Sequence, residues 1–364
     1  MLNRHRILIV LFLLLMIGPS VLWFLFQPSD YNGIMDTKEN RYLAQMPRFT
    51  GHTIQQFPEQ FDAYFNDHIP FRNKMIEYFA ALEYKLFGKS IDDKVIVGED
   101  GWLFYSSPAD GNSLHTYKGI DHFSHDEMEL IAERLSAARN KMQEKGIDFV
   151  VMFPPNKESI YSEYMPEGIK QVSKDNRLDL LVEYLEENTD LRIVYPKEEL
   201  MKEKNTHPVY YKQDTHWNLL GGYIGSAMLL NELGMNPKKI EELQLVSTEA
   251  NYCDLRNMGR LDMVSDRDAD YNVLGVSEYT ASIFEMDADN FIRLKSNNPN
   301  GLKLFIQRDS FGTAMMEYLP SFFDESVFVH WRAFQPEMLE TEMPDVYVLE
   351  IVERSLPLLF NYGI

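Results

Sequence analysis

The chain reads as an α/β domain on a parallel sheet with helices on both faces, preceded by an N-terminal transmembrane helix. Three features lead there. Short apolar segments at 149–153, 192–195, 302–307, 327–329 and 346–351 alternate with helical stretches, the order that yields parallel strands covered on each side. An uncharged run from Ile7 to Phe26 precedes them, which at 1.5 Å per residue just crosses a hydrocarbon layer. With 364 residues, 45% hydrophobic and 13% aromatic, the chain can bury one large core plus a smaller layer, and global disorder is excluded.

From the N-terminus, Arg4 and Arg6 stand before the apolar run, while Asp30, Asp36 and Glu39 follow it. This asymmetry puts the N-terminus in the cytoplasm and the remaining chain outside it, with Trp23 near the far interface. A cleaved signal peptide is the competing reading, but the run is long and no small-x-small site follows. Residues 1–27 are thus a cytoplasmic tip and membrane anchor. Residues 28–52, with Pro28, Gly33, Pro47 and Gly51, suit a tether, and 53–364 form the extracytoplasmic folded domain.

Phe57, Phe61, Tyr64 and Phe65 follow helical spacing, and Pro70 separates that helix from one over 72–87. Val95–Val97 and Trp102–Phe104 flank Gly98-Glu99-Asp100-Gly101 as a hairpin. Ser124 and Glu127 form a capping box, after which Ile131, Leu135, Ala138 and Met142 mark one apolar face up to Gly146. Leu178, Leu181, Val182 and Leu185 stripe another helix, and further helices are expected over 218–233 and after Phe311. Residues 236–300, with scattered Gly, Asn and Asp, read as an insertion near the site.

The net charge of −21 comes from 56 acidic against 35 basic residues without a Lys/Arg block. No nucleic-acid partner is expected, because phosphate neutralisation needs clustered cations. An anionic polymer would need a local basic groove, whereas a neutral sugar polymer would not. The single cysteine, Cys253, makes no internal disulfide and reads as a half-buried thiol. No cofactor is expected.

The strongest local signal is Leu302-Lys303-Leu304-Phe305-Ile306-Gln307-Arg308-Asp309-Ser310-Phe311-Gly312. A strand running into a serine at the head of a helix puts the hydroxyl at the C-terminal sheet edge, beside free N–H donors that suit an oxyanion. An Asp-Ser pair there can equally be a structural N-cap. The second signal is Gln213-Asp214-Thr215-His216-Trp217-Asn218. A serine hydroxyl needs an imidazole to take its proton, and the imidazole needs a carboxylate to fix its tautomer. Among nine histidines, His216 has such a setting. Asp214 and His216, with His207, could instead hold a divalent ion, although no further cluster with ligand spacing lies nearby.

These residues resemble the SGNH-hydrolase-like O-acetyltransferases of bacterial exopolysaccharides, typified by the alginate acetylation proteins. The resemblance runs from Glu39-Asn40-Arg41 and Asp67-His68-Ile69-Pro70-Phe71-Arg72, through Phe153-Pro154-Pro155-Asn156-Lys157, to Asp214-Thr215-His216-Trp217 and Asp309-Ser310-Phe311. Its most specific element is order, with Asp-x-His-Trp ahead of the serine. It implies an SGNH-hydrolase-like fold, with Ser310 as nucleophile, His216 as general base and Asp214 as its orienting acid. It also implies an acetyl group passing through an acyl-serine to hydroxyls of an extracellular or cell-wall polysaccharide, and a multipass membrane acyltransferase as partner and acetyl supplier.

Two departures stand out. Arg308 occupies a position where many relatives have Gly, and no oxyanion asparagine aligns. Asn156 follows the strand ending at Phe153 and is the candidate donor, or else a loop cap. Arg332, after the strand at 327–329, either binds substrate or pairs with a surface acid. Two rival functions share these residues: a polysaccharide acetyl esterase, and a non-catalytic scaffold or sugar-binding component of an export complex.

Overall fold

The structure, a computed structural model, describes residues 4–25, 35–36, 41–49, 54–250, 252–288 and 290–364. They divide into two compact units, one of residues 1–92 with 257–265, the other of 93–256 with 266–364, so the expected 53–364 domain is shared between them.

The first unit begins with α1 (Arg4–Leu25). Among the described residues, no helix is long and apolar enough to cross a membrane. Phe26, the side chain of Trp23 and much of the expected tether lie outside the described residues. Within that segment, β1 (Met35–Asp36) and β2 (Arg41–Tyr42) pair antiparallel. Then come α2 (Phe57–Asp67) and α3 (Arg72–Phe87), divided at Pro70 as the sequence requires. Asp67 accepts two bonds from Arg41 and one from the Ala44 N–H. Arg41 foremost holds this carboxyl down at about 2, against the opposing cost of burial.

The second unit opens on the expected hairpin, β3 (Val95–Val97) against β4 (Leu103–Tyr105), followed by α4 (Ser113–Lys118) and α5 (His125–Glu144). Ser124 and Glu127 form the capping box that starts α5. Next are β5 (Asp148–Met152), α6 (Lys157–Ile160), α7 (Arg177–Asn188), β6 (Arg192–Val194), α8 (Lys197–Glu203) and α9 (Leu219–Glu232). The stretch read as an insertion supplies β7 (Gln244–Glu249), α10 (Asp254–Met258), β8 (Ala269–Leu274), β9 (Ala281–Asp287) and β10 (Phe291–Ser296). The chain ends with β11 (Lys303–Arg308), α11 (Gly312–Met315), β12 (Glu325–His330), α12 (Glu337–Glu342) and β13 (Val346–Glu350).

Seven strands form the main sheet in the order β6-β5-β13-β11-β12-β10-β9. The first five run parallel, and β10 is antiparallel to both neighbours, so the sheet is mostly rather than wholly parallel. Alternation along the strands sorts side chains into two cores. Val150, Met152, Leu304, Ile306, Phe328 and Val348 face one layer with Leu220, Ile224 and Leu229 of α9. Phe149, Val151, Phe305, Val327, Tyr347 and Leu349 face the other, against Leu135 of α5 and Leu181 of α7. Helices therefore cover both faces, as the near-continuous apolar strands demand. Each such side chain contributes about 1.5–3 kcal/mol by burial. The design brings the C-terminal ends of β5, β11, β12 and β13 to one edge, where parallel sheets place their ligands.

Candidate active site

Ser310 follows β11 in a turn fastened to that edge. The Asp309 carboxylate accepts the Phe311 N–H through Oδ1 and the Val352 N–H through Oδ2, both at 2.8 Å. The Asp309 N–H donates to Glu350 Oε2 at 2.8 Å. Burial, and then the Asp309 charge, push the Glu350 carboxyl well above the usual range. Arg308, itself buried, donates to the Asp309 carbonyl and to Thr313 Oγ1. A Cβ at Gly312 would lie 2.8 Å from the Arg308 side chain, so the bulk at 308 is accommodated by having none at 312. The expected helix after Phe311 is one turn, α11, and Phe311 is its N-cap without a side-chain cap. The Ser310 hydroxyl is therefore not spent on capping.

It is instead bonded to His216, with Oγ and Nε2 2.7 Å apart. His216 Nδ1 lies 2.6 Å from Asp214 Oδ1. The carboxylate only accepts, so Nδ1 carries the hydrogen and Nε2 is left to receive the serine proton. Asp214 also accepts the His216 and Asp254 N–H groups at 3.0 and 2.7 Å. Burial alone would raise its pKa, but the hydrogen bond and charge of His216, with the backbone donors, hold it below the ordinary value.

The loop carrying Asp214 and His216 is fixed by buried polar groups. The fully buried Lys157 ammonium donates to the carbonyls of Tyr211, Lys212 and Asp214. Burial lowers its pKa, and acids including Glu158, Asp254 and Asp268 counter that. Asp268 accepts the N–H groups of Lys212 and Gln213 at 2.9 and 2.6 Å. Asp254 accepts the Thr215 N–H and hydroxyl at 2.8 and 2.6 Å, its own pKa raised by burial and by Asp214. The Trp217 indole N–H reaches the Phe311 carbonyl at 2.9 Å, tying this loop to the serine turn. A Cβ at Gly225 would come within 2.8 Å of that indole ring, so glycine there lets α9 pack beside it.

Asp214, His216 and Asp254 have ligand atoms within 4.8 Å of one another. The carboxylate lone pairs are already matched by the Thr215 hydroxyl, the His216 ring N–H and the backbone N–H groups of Thr215, His216 and Asp254, so the trio fits a hydrogen-bonded network better than a metal site. His207 is elsewhere, bonded to Glu203 at 2.6 Å.

A cleft of about 310 Å³ opens onto Ser310 and His216, walled by Tyr211, Leu219, Thr313 and Glu317. Asn156 is buried at 2% exposure at the end of β5, and its backbone N–H donates to Glu353. Its side chain makes no cap, and neither amide atom has a hydrogen-bond partner. It lines a water-sized cavity with Tyr105, Thr215 and Arg354, whose guanidinium stands 5.4 Å over the Phe311 ring. Arg332 is exposed and lines none of these spaces. Cys253 is fully rather than half buried, beside Asp268.

Residues 95–290 match the family described as SGNH hydrolase-like domain, acetyltransferase AlgX. The chain belongs to that family. Among its relatives, the probable alginate O-acetylase AlgJ of Pseudomonas putida is 23% identical over 210 residues, 57% of this chain. The match spans half of that protein's length. Bacillus cereus PatB1 shares the fold at a TM-score of 0.55 and 14% identity, covering 74% of this chain and 99% of PatB1. A DHHW family protein from Eubacterium siraeum does so at 0.51 and 16%, covering 74% of this chain and 98% of its own.

Sequence reasoning missed Asp254, Asp268 and the role of Lys157. Asp254 and Asp268 lie far along the chain from the loop they hold, in the stretch with the weakest periodicity. The Pro-Pro-Asn-Lys turn gave no sign that its lysine is buried.

Proposed function

We propose that this protein is a serine-dependent O-acetyltransferase that moves an acetyl group through an acyl-Ser310 onto hydroxyls of an extracellular or cell-wall polysaccharide. The observation that carries the reading is the continuous relay from Ser310 Oγ through His216 to Asp214, at 2.7 and 2.6 Å. In the first step Ser310 Oγ attacks the acetyl carbonyl of a donor, and its proton passes to His216 Nε2. The donor's leaving group departs with that proton, and the acetyl ester of Ser310 remains. In the second step a sugar hydroxyl gives its proton to His216 and attacks the ester carbonyl. Ser310 departs and recovers the proton. Asp214 stabilises the imidazolium in both steps. The Asn156 amide, buried without a partner at the same sheet edge, is the side-chain donor we assign to the oxyanion.

The alginate named for the Pseudomonas putida relative makes a polysaccharide acceptor reasonable. The uncharged run Ile7–Phe26 behind Arg4 and Arg6 supports a single-span anchor, an N-terminus in the cytoplasm and a catalytic domain outside it. A multipass acyltransferase in the same membrane would then supply the acetyl group.

The test uses p-nitrophenyl acetate and an oligosaccharide mixture, read by mass spectrometry. Acetyl-Ser310 and acetylated sugar are expected, and Ser310→Ala should yield neither. Free acetate without acetylated sugar would favour the esterase. One structure of Bacillus cereus PatB1 contains a sulfonyl adduct, and a sulfonyl fluoride should here modify Ser310 alone. Unchanged labelling of Ser310→Ala would remove the nucleophile assignment.

A further inference from the structure

A second cleft, of about 520 Å³, lies beside the one that opens onto Ser310. The two share Thr313 and Glu317, residues within and just after α11, so one side of α11 forms a wall of both. Each has a volume within the roughly 300–1,000 Å³ of ordinary ligand sites. The second cleft alternates hydroxyls with apolar surface, including Ser277, Thr280, Ser282, Ile292, Leu294 and Met316. Apolar floors carrying a few hydroxyls suit pyranose rings, which present a C–H face and a rim of hydroxyl groups.

Charge narrows the choice. Among the described lining residues of both clefts there is no lysine or arginine, and the ionised groups beside His216 are Asp214 and Glu317. The pattern follows from strand alternation. On β10, Ile292 and Leu294 point into the cleft, whereas Arg293 and Lys295 point to the opposite face. There Arg293 pairs with Glu285, Glu325 and Glu342, and Lys295 with Glu325. Lys238 reaches the cleft rim, where its ammonium donates to the Gly275 carbonyl. A polyuronate lying here would bring carboxylates to Glu317 with no cation among the described lining residues, while the rim ammonium of Lys238 is engaged with the Gly275 carbonyl, in a protein of net charge −21.

We infer that the second cleft binds the acceptor chain, and that this chain is an uncharged glycan. It extends from Ser310 past Thr313 and Glu317 toward β9. This inference rests on the transferase reading for its place in the reaction, but the binding surface can be tested without any chemistry.

The test measures binding of three ligands to the full chain in detergent by titration calorimetry: a neutral glucan octamer, a neutral dimer and a uronate octamer. The neutral octamer should bind at least about tenfold more tightly than either of the others. Ser282→Trp, an exposed β9 position filling the cleft, should erase the preference for length. If that variant fails to fold by circular dichroism, Ala281→Arg is measured in its place. Equal or tighter uronate binding overturns the charge argument, and a length preference intact in a folded variant overturns the cleft. Acetyl transfer is measured in parallel. Selective, Ser282-sensitive binding without acetyl-Ser310 would uphold the cleft and sink the transferase reading, and transfer without selective binding would do the reverse.

Discussion

The turn that carries Ser310 and the loop that carries His216 meet at the Ser310–His216 and Trp217–Phe311 hydrogen bonds but are held in place by different forces. The turn inherits its position from the sheet. It leaves the central strand β11, and Asp309 fastens it to the residues after β13. The loop belongs to no sheet, and its nearest regular pairing is a single bridge between Tyr210 and Trp217. Its backbone is held by the buried Lys157 and Asp268 and by the half-buried Asp254. A position inherited from strand register is robust, because many apolar contacts support it. A position set by buried charges is accurate only while every partner remains.

Breaking the relay itself should have the largest effect. Asp214→Asn removes the acceptor that fixes the imidazole tautomer, and acetyl transfer should fall roughly 10⁴-fold while the fold survives. Steady-state rates with p-nitrophenyl acetate beside a thermal melt check this, and a loss under tenfold would mean that His216 is oriented by something else.

Removing the loop's cation comes next. Lys157→Met leaves three carbonyls without their donor and Glu158 and Asp268 without a nearby ammonium. Urea unfolding should show a loss of about 3–5 kcal/mol, with activity falling in step.

Burial foremost pushes the Glu353 carboxyl, which accepts the Asn156 N–H, up to about 7. Between its ordinary value near 4.5 and 7 the folded chain keeps a proton that the unfolded chain has lost. Stability should therefore fall as pH rises through that window, by on the order of 3 kcal/mol in total. Glu353→Gln should flatten the curve, and a parallel slope in the variant would assign the effect elsewhere.

The smallest effect belongs to the sheet-anchored turn. Asp309→Asn replaces one acceptor with a donor opposite an N–H group and should cost about 1–3 kcal/mol. Should it instead exceed the Lys157→Met loss, the contrast between the two regions is reversed.

The same contrast governs what could be read in the chain. The strand into Ser310 was legible because the apolar run Leu304-Phe305-Ile306 leads into the Asp309-Ser310 pair. Asp214-Thr215-His216-Trp217 was legible as a motif, since an Asp two residues before a His can reach its ring. Asp254 and Asp268 left no mark, because a single acid among scattered polar residues looks like any solvated one. Strands β9 and β10 were missed for a related reason. Every described position of β9 is exposed, so no buried face imprints a period of two on its sequence. The helix expected after Phe311 stops at one turn, Gly312–Met315.

The place of β13 has a consequence for biosynthesis. This last strand lies between β5 and β11 in the middle of the sheet, and Val352, just beyond it, supplies one of the two N–H groups that Asp309 binds. A nascent chain halted before Val346 has Ser310 already made but lacks the strand that neighbours β11. Until translation has passed Val352, the turn that carries Ser310 therefore lacks both its neighbouring strand and one of its fastenings.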